Sequence, residues 1–247
     1  MVEMSKVKVI VITGASSGLG LSLSKKFIDS GATVFGLTKT KKHWKNAQER
    51  IDNPSRFQLF QVDVTNESKI RNFFSTTIKK TLSLDLVINN AGYGGTLSTV
   101  DQLELSEFEQ HVNQNLYSAF LTSKYSLPIF RKQGRGYIIN ISSMAGKRAV
   151  PKLAAYSASK FAVVALSQCI AKENTDFDFK CIAVCPGGMN TFMRASLFSQ
   201  EDAEKQQTTE FVAGVILKIF QGLILVDSGG DVIVRHGQVI TNPCPQA

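Results

Sequence analysis

The 247-residue sequence is poor in the residues that build metal sites and disulfide scaffolds. It contains four cysteines and three histidines, and no two cysteines form a C-x-x-C pair. Because zinc sites need clustered ligands at short spacings, we predict no metal site. Cys181 and Cys185 fall in one predicted strand, where residues four apart share a face. This spacing favours reduced thiols in a hydrophobic core.

Long hydrophobic runs and linkers are also missing. The longest apolar segment near the start, Val7–Ile12, spans six residues and is interrupted by Lys8. A segment of this length is too short for a signal peptide or a membrane span. We therefore expect a cytoplasmic protein with no membrane partner. No Pro/Ser-rich stretch divides the chain, and 43% of its residues are hydrophobic, enough for a sizeable core. The sequence predicts a single domain over residues 1–247.

Acidic residues are outnumbered, with 20 Asp and Glu against 28 Lys and Arg and a formal net charge of +8. Such a balance occurs in proteins that bind nucleic acids, membranes or anionic ligands, and in proteins with a solvated basic surface. The last explanation is the commonest, and we expect no nucleic-acid partner. The one dense basic cluster consists of Lys39, Lys41, Lys42 and Lys45.

The sequence does contain an alternation of β-branched and amphipathic segments along its whole length. The predicted strands are Val7–Thr13, Thr33–Leu37, Phe57–Val62, Asp85–Asn89, Gly136–Ile141, Lys180–Val184 and Asp231–Val234. The predicted helices are Leu19–Ser30, Ser68–Leu82, Ser106 to about Lys132, Ala155–Asn174 and Thr209–Gln221, the third opened by a capping box of Ser106 and Glu109. This order predicts an α/β fold, a doubly wound Rossmann-type parallel sheet of about seven strands with helices on both faces.

Irregular segments follow several strand ends, at the sheet edge where such folds bind ligands. We expect residues 187–208 to form a substrate loop region. Apolar side chains in these segments either surround an apolar substrate or pack helices; they are Tyr93, Met144, Leu153, Phe192, Met193, Leu197 and Phe198.

A glycine-rich motif connects the first predicted strand to the first predicted helix. It comprises Thr13, Gly14, Ala15, Ser16, Ser17, Gly18, Leu19 and Gly20. Glycines let the backbone turn tightly against a pyrophosphate, and the helix N-terminus offers free N–H groups to it. The position between strand and helix favours a dinucleotide site over a ligand-free glycine-rich connection.

The end of the second strand distinguishes NADP from NAD. An acid there binds the adenosine ribose 2′-hydroxyl, whereas a cation suits a 2′-phosphate. Residues 36–42 contain no acidic residue and three lysines, of which Lys39 is the first. The sequence therefore favours NADP over NAD. The alternative is that these lysines form only a solvated surface. Asp63 could accept a hydrogen bond from adenine, or Asp63 or Thr65 could cap the next helix.

Candidate catalytic residues follow the later strands. Tyr156 and Lys160 are four apart on a predicted helix and share a face. A free tyrosine has a pKa near 10, and a neighbouring ammonium should lower it toward the range useful for proton transfer. Ser142 and Ser143 follow the fifth strand and could reach a substrate oxygen, and Asn115 lies in the long predicted helix that begins at Ser106.

Taken together, these motifs resemble the short-chain dehydrogenase/reductase family over about residues 6–193. The motifs that carry the resemblance are TGASSGLG, Asp63-Val64, the Asn89-Asn90-Ala91-Gly92 turn, Asn115, Ser142-Ser143, YSASK and the segment Pro186–Thr191. The resemblance implies that Tyr156 is the general acid or base, that Lys160 assists it and holds the nicotinamide ribose, and that Ser143 rather than Ser142 polarises the substrate. It also implies that Asn115 holds a water linked to Lys160. Cofactor contacts are implied for Val64, Asn90, Ala91, Gly92, Pro186, Gly187, Met189 and Thr191.

Two departures from the family pattern bear on function. NADP-binding members often carry a second cation at the place of Ser17, which is neutral here. The family's glycine-rich C-terminal ending is replaced by Val232–Gly237. Because that ending often shapes the substrate pocket and the subunit contacts, the resemblance does not specify either of them here.

We therefore expect an NADP(H)-dependent ketone or aldehyde reductase that acts on a small carbonyl or alcohol substrate. The alternative is a catalytically silent dinucleotide-sensing or scaffold protein of the same fold. A nucleotide-sugar epimerase fits poorly, because such chains usually carry a larger C-terminal substrate domain. The helices at 106–132 and 155–174 carry apolar residues on more than one face, and with the family resemblance they predict a homodimer or homotetramer.

Overall fold

The strands form one continuous sheet in the structure, a computed structural model that describes residues 8–81 and 83–245. The strands are β1 (Val9–Thr13), β2 (Thr33–Thr38), β3 (Phe57–Gln61), β4 (Leu86–Asn89), β5 (Arg135–Ile141), β6 (Asp178–Pro186), β7 (Asp231–Arg235) and β8 (Gln238–Asn242). Their order is β3-β2-β1-β4-β5-β6-β7-β8, with the first seven parallel and β8 antiparallel to β7. The strand order runs one way from β1 to β3 and the other way from β4 onward. Doubly wound folds bind ligands at this point of reversal, between β1 and β4.

Helices cover both faces of this sheet. They are α1 (Gly18–Asp29), α2 (Trp44–Ile51), α3 (Glu67–Thr76), α4 (Leu105–His111), α5 (Ser118–Gln133), α6 (Ala154–Glu173), α7 (Phe192–Leu197), α8 (Gln200–Glu204) and α9 (Thr209–Phe220). Alternate residues of β1 point to opposite sides. Ile10 and Ile12 belong to the core shared with α1 and α9, and Val11 belongs to the core shared with α3 and α5. The predicted α/β class is confirmed.

An additional strand and three additional helices complete the described part of the chain. Strand β8 forms a hairpin with β7 through a two-residue turn at His236 and Gly237, whose φ angles are 50° and 76°. Two-residue turns with positive φ at both positions usually carry Asn-Gly, Asp-Gly or Gly-Gly, so His236-Gly237 is a weak hairpin signal and β8 was not predicted. Helices α2, α7 and α8 are short, with eight, six and five residues, fewer than the roughly 11 or more over which a helical period is recognised.

The predicted capping box of Ser106 and Glu109 is wrong. Helix α4 begins at Leu105, and Glu104 is the N-cap residue without a side-chain cap. Ser106 therefore lies inside the first turn, where its hydroxyl cannot take the N-cap position. The long helical segment is also not uniform, because residues Val112–Tyr117 form a π-helix between α4 and α5.

Helix α6 is the most apolar long helix and carries two of the candidate catalytic residues. By length and composition it could cross a membrane, but half of the relevant window is buried inside the domain. Such burial is typical of a core helix. Val7 and Leu82, predicted as the ends of a strand and a helix, lie outside the described residues.

Candidate functional site

The glycine-rich loop is folded tightly between β1 and α1. Gly14 has φ +68°, and its N–H donates to the carbonyl of Leu37 at 2.8 Å. A Cβ on Gly20 would overlap the carbonyl oxygen of Gly14, so a side chain there would push the loop outward. Ser17 is the N-cap of α1, but its side chain makes no capping hydrogen bond. The N–H groups of the first turn are therefore suited to an anion.

Lys39, which directly follows β2, forms an ion pair with Asp63. Its Nζ lies 3.2 Å from Oδ2 of Asp63, and Oδ1 of Asp63 accepts from the N–H and hydroxyl of Thr65 at 3.0 and 2.7 Å. Burial acts to raise the pKa of Asp63, but the Thr65 hydrogen bonds and the Lys39 charge outweigh it and hold the pKa below its usual value. Neither Asp63 nor Thr65 caps α3, and that alternative is wrong. Asn66 is the cap, accepting from the N–H of Lys69.

Two residues that the motif analysis did not single out approach the dinucleotide side of the site. Lys42 and His43 line a cavity of about 430 Å³ in front of the glycine loop, which we call the glycine-loop cavity. Lys42 belongs to the basic cluster of the sequence, so its position along the chain was the available indication. The Thr38 hydroxyl is buried and accepts from the indole N–H of Trp44 at 2.6 Å.

The structure brings most of the predicted cofactor residues together at the glycine-loop cavity. Those that line it are Gly14, Ser17, Gly18, Leu19, Asn90, Ala91, Gly92, Tyr156, Lys160, Met189 and Thr191. Ser16 is buried in the loop, and Val64 belongs to the hydrophobic core. Lys39 and Asp63 form their ion pair outside this lining, and Pro186 and Gly187 line a neighbouring cavity.

The neighbouring cavity has about 370 Å³, and the β7–β8 hairpin forms one wall of it; we call it the hairpin cavity. The two cavities share Ser142, Tyr156, Met189, Thr191 and Met193. Of the predicted pocket residues, Met144, Leu153, Met193, Leu197 and Phe198 line the hairpin cavity. Phe192 lines the glycine-loop cavity instead. The predicted loop region 187–208 is partly helical, because it contains α7 and α8.

Ser142 and Ser143 differ in what their hydroxyls do. The Ser142 hydroxyl is buried and donates to the backbone carbonyl of Lys160 at 2.8 Å, which ties β5 to α6. Ser143 is partly exposed, accepts from the N–H of Ala145 at 3.1 Å and lines the hairpin cavity beside Tyr156. The hydroxyl available to a ligand is therefore that of Ser143.

Tyr156 and Lys160 lie in the first two turns of α6. The Nζ of Lys160 is 5.8 Å from the ring centroid of Tyr156 and donates to the carbonyl of Ile141 at 2.9 Å. Burial lowers the pKa of Lys160 to about 8. Burial also raises the pKa of Tyr156, while the neighbouring Ser143 hydroxyl acts in the opposite direction. The sequence predicts that Lys160 lowers the pKa of Tyr156. In the protein alone the pKa of Tyr156 is instead raised, because burial is the largest effect.

Asn115 sits in the π-helical segment and joins the loop after β4 to α6. Its Oδ1 accepts from the N–H of Tyr93 at 2.7 Å, and its Nδ2 donates to the carbonyl of Tyr93 at 3.1 Å and to the hydroxyl of Ser159 at 3.0 Å. A Cβ on Gly92 would lie 3.2 Å from Asn115 Oδ1 and 3.6 Å from Lys160 Nζ. Gly92 therefore keeps this loop close to both side chains.

His111 is a residue of this site that the sequence analysis did not identify. It is 2% exposed, and its ring centroid lies 5.0 Å from that of Tyr93 and 6.0 Å from that of Tyr156. Its Nε2 is 3.7 Å from Oε1 of Glu107, and burial lowers its pKa despite this carboxylate. Its position one helical turn before Asn115 was the available indication.

The buried ammonium of Lys160 should cost stability. Because its pKa falls from 10.5 to about 8 on folding, Lys160→Met should raise the free energy of unfolding by up to about 3 kcal/mol below pH 8. Between pH 8 and 10.5 the unfolded chain binds the extra proton, so the wild-type protein gains stability as pH rises and the difference shrinks. Urea unfolding of both proteins at neutral and alkaline pH measures this change. A difference independent of pH would contradict it.

Comparisons with known proteins identify relatives of this chain. The family profile described as short chain dehydrogenase matches residues 8–202. A 3β-hydroxysteroid dehydrogenase of Mediterraneibacter gnavus is 31% identical over 185 residues, which are 74% of this chain and 67% of the relative. A 3-ketodihydrosphingosine reductase of Bacteroides thetaiotaomicron is 36% identical over 186 residues, 74% of this chain and 65% of the relative. The chain thus spans about two thirds of the length of these relatives.

One relative matches over almost its full length. An NADPH-dependent pterin aldehyde reductase of Arabidopsis thaliana is 26% identical over 227 residues, 92% of this chain and 93% of the relative.

Solved structures share the fold. Levodione reductase superposes with a TM-score of 0.86 at 23% identity and covers 94% of this chain and 97% of its own. The structure of ElxO with NADP bound superposes with a TM-score of 0.84 at 25% identity, and the match covers 92% of this chain and 97% of ElxO. A 3-ketoacyl-(acyl-carrier-protein) reductase from Brucella melitensis, complexed with NADH, gives 0.83 at 24%, covering 92% and 96%.

Proposed function

Because this chain belongs to the short-chain dehydrogenase/reductase family of oxidoreductases, we propose that it reduces a ketone or aldehyde with NADPH. The observation that carries the proposal is the meeting of the two cavities at Tyr156. The glycine-loop cavity reaches Tyr156 and Lys160 from one side, and the hairpin cavity reaches Tyr156 and Ser143 from the other. A cofactor and a substrate could therefore meet at one phenol.

The residues present fit a dinucleotide. Positive φ at Gly14 and the absence of a Cβ at Gly14 and Gly20 let the glycine-rich loop fold tightly on itself and against Asn90, and Gly14 and Gly92 both line the glycine-loop cavity. The first turn of α1 offers N–H groups where a pyrophosphate would lie. When bound, the nicotinamide supplies the hydride for carbonyl reduction.

The side chains around Tyr156 fit proton transfer to the substrate oxygen. Tyr156 donates its phenolic proton to the oxygen, and the Ser143 hydroxyl donates a hydrogen bond that stabilises the developing negative charge. Lys160, held by the carbonyl of Ile141, supplies positive charge behind the phenol once it is protonated. Asn115 links the loop at Gly92 to α6, because it binds the backbone of Tyr93 and the hydroxyl of Ser159. It thereby helps to position Lys160, the next residue of α6.

The charge near the end of β2 favours NADPH over NADH. We expect Lys39 and Lys42 to lie beside an adenosine 2′-phosphate, because Lys39 directly follows β2 and Lys42 lines the glycine-loop cavity. The carboxylate of Asp63, which would repel that phosphate, is engaged by Lys39 and Thr65. The Arabidopsis relative is named as NADPH-dependent, and ElxO is described with NADP. The Brucella reductase is described with NADH, so the cofactor needs a direct measurement.

A matched cofactor screen tests the proposed function. The purified protein is mixed with NADPH or NADH and a panel of ketones and aldehydes, and nicotinamide oxidation is followed. We expect turnover with NADPH to exceed turnover with NADH for at least one carbonyl. Binding of NADPH without oxidation by any carbonyl would instead favour the dinucleotide-sensing alternative.

We also propose that the chain self-associates through its long helices. Phe120 on α5 and Phe161 on α6 are 45% and 44% exposed, so each of the two long helices presents a large aromatic side chain to solvent. Light scattering should give the mass of a dimer or tetramer, and Phe120→Asp with Phe161→Asp should shift it toward the monomer. Leu225→Asp, at an 80% exposed leucine elsewhere, is the control. A wild-type monomer at micromolar concentration would contradict the proposal.

A further inference from the structure

The β7–β8 hairpin brings an arginine and a histidine to the proposed substrate site. Arg235 and His236 line the hairpin cavity, and the family match, which ends at residue 202, does not cover them. A Cβ on Gly187 would lie 2.8 Å from Cγ of Arg235 and 3.5 Å from its Cδ. The missing side chain at Gly187 therefore lets the aliphatic part of Arg235 lie against the cavity wall.

The lining of this cavity is rich in arginine and contains no acidic residue. Arg148, Arg194 and Arg235 line it, together with His236. Arg194 is neutralised by Asp202, whose Oδ1 accepts from its Nη2 at 3.0 Å. Among residues 8–81 and 83–245, no carboxylate lies within ion-pair distance of Arg148 or Arg235. Two uncompensated guanidinium groups thus border the cavity.

One part of the wall consists of apolar side chains. It is formed by Met144, Val150, Leu153, Met193, Leu197 and Phe198. Such a surface favours a hydrocarbon body, while guanidinium groups bind carboxylates and phosphates through charge-assisted hydrogen bonds. A neutral substrate would leave both arginines to water alone.

From this arrangement we infer that the substrate is an oxo acid. It carries a ketone or aldehyde at Tyr156 and Ser143, an apolar body along the wall, and a carboxylate or phosphate held by Arg148 and Arg235. This inference rests on the proposed function, since it names the substrate class of the same site. Reduction transfers a hydride from NADPH to the carbonyl carbon and a proton from Tyr156 to its oxygen, and leaves the anionic group unchanged.

The test compares acids with their own esters. The probes are straight-chain oxo acids in which the distance between ketone and carboxylate grows by one methylene at a time, each paired with its methyl ester; a second set carries a phosphate. We expect kcat/KM with NADPH to favour the anion by about ten- to a hundred-fold at the best length. The preference should shrink at high salt, because both arginines are near solvent. The acid and phosphate sets distinguish which anion fits better.

Variants assign the preference to the arginines. Arg148→Ala and Arg235→Ala should each lower the ratio of acid to ester kcat/KM, and Arg235→Glu should reverse it. Arg235→Lys keeps the charge and should retain most of the ratio. Arg71→Ala removes one positive charge from the exposed face of α3 and is the matched control. Equal ratios for wild-type and Arg235→Glu protein would overturn the inference, as would an equal fall in Arg71→Ala.

A binding experiment keeps this inference separate from the proposed function. Calorimetry on Tyr156→Phe protein saturated with NADP⁺ measures binding of a saturated fatty carboxylate and of the alcohol of the same length. Tighter binding of the carboxylate, lost in Arg235→Glu, supports the anion site even if no carbonyl is reduced. Reduction of neutral carbonyls with no preference for either anion would leave the proposed function standing and refute the oxo-acid assignment.

Discussion

Replacing Tyr156 by phenylalanine should lower kcat by about a hundred- to ten-thousand-fold, the range for losing a general acid. The change removes only the phenolic hydroxyl and its proton, while the ring keeps its edge-to-face contact with His111, 6.0 Å between centroids. The affinity for NADPH and the melting temperature should therefore change little. Steady-state kinetics, fluorescence titration with NADPH and thermal unfolding measure the three quantities.

Ser143→Ala serves as the companion variant in that experiment. It removes a hydrogen-bond donor to the substrate oxygen but leaves the transferable proton, so its loss in kcat should be smaller than that of Tyr156→Phe. Ser142→Ala differs in kind, because the Ser142 hydroxyl binds the Lys160 carbonyl and its loss should appear mainly in stability. Near-normal kcat in Tyr156→Phe would remove Tyr156 from the proposed mechanism.

The second large effect concerns the choice between NADPH and NADH. The double variant Lys39→Ala with Lys42→Ala should raise the Kd for NADPH by at least about ten- to a hundred-fold, since even one charge-assisted contact to phosphate contributes about 1.5–3 kcal/mol. The Kd for NADH should hardly change, because NADH lacks the 2′-phosphate. High salt should narrow the wild-type preference, since both lysines are exposed.

Lys41→Ala is the control for the charge of the basic cluster, and it removes one positive charge where the double variant removes two. Lys41 has the same charge, and its Nζ lies over the Trp44 ring, 5.3 Å from the centroid. If Lys41→Ala weakens NADPH binding as much as the double variant, the effect comes from the general field of the basic cluster. If the double variant weakens NADH and NADPH equally, the NADP proposal fails and the dehydrogenase fold remains.

The sheet could be predicted because its strands repeat one simple pattern. Strands covered on both faces are continuously apolar, and segments such as Val34–Leu37 and Val87–Ile88 are recognisable without tertiary information. Short elements were harder. Helices α7 and α8 have six and five residues, and each is fixed by a threonine or serine cap and by the surrounding chain more than by periodicity.

The candidate site was predictable where one local motif supplies the geometry. Tyr156 and Lys160 share a helix face, and the glycine loop joins a strand to a helix, so their proximity follows from helix and turn geometry alone. Contacts between distant segments were not accessible in this way. The Lys39–Asp63 ion pair joins the ends of two strands, and Arg235 reaches the cavity from a hairpin more than 70 residues beyond Tyr156 in the chain.

The sequence by itself therefore determined the fold class, the family resemblance and the pairing of Tyr156 with Lys160 on one helix face, because these depend on periodicities, on the order of motifs and on spacings within single elements. Only the tertiary structure decided how those residues are charged and what surrounds them. The depressed pKa of Lys160, the raised pKa of Tyr156 and the uncompensated arginines of the hairpin cavity all depend on burial and on which distant groups come together. Burial and distance between remote segments are set by packing, and packing is a property of the folded chain rather than of any local pattern.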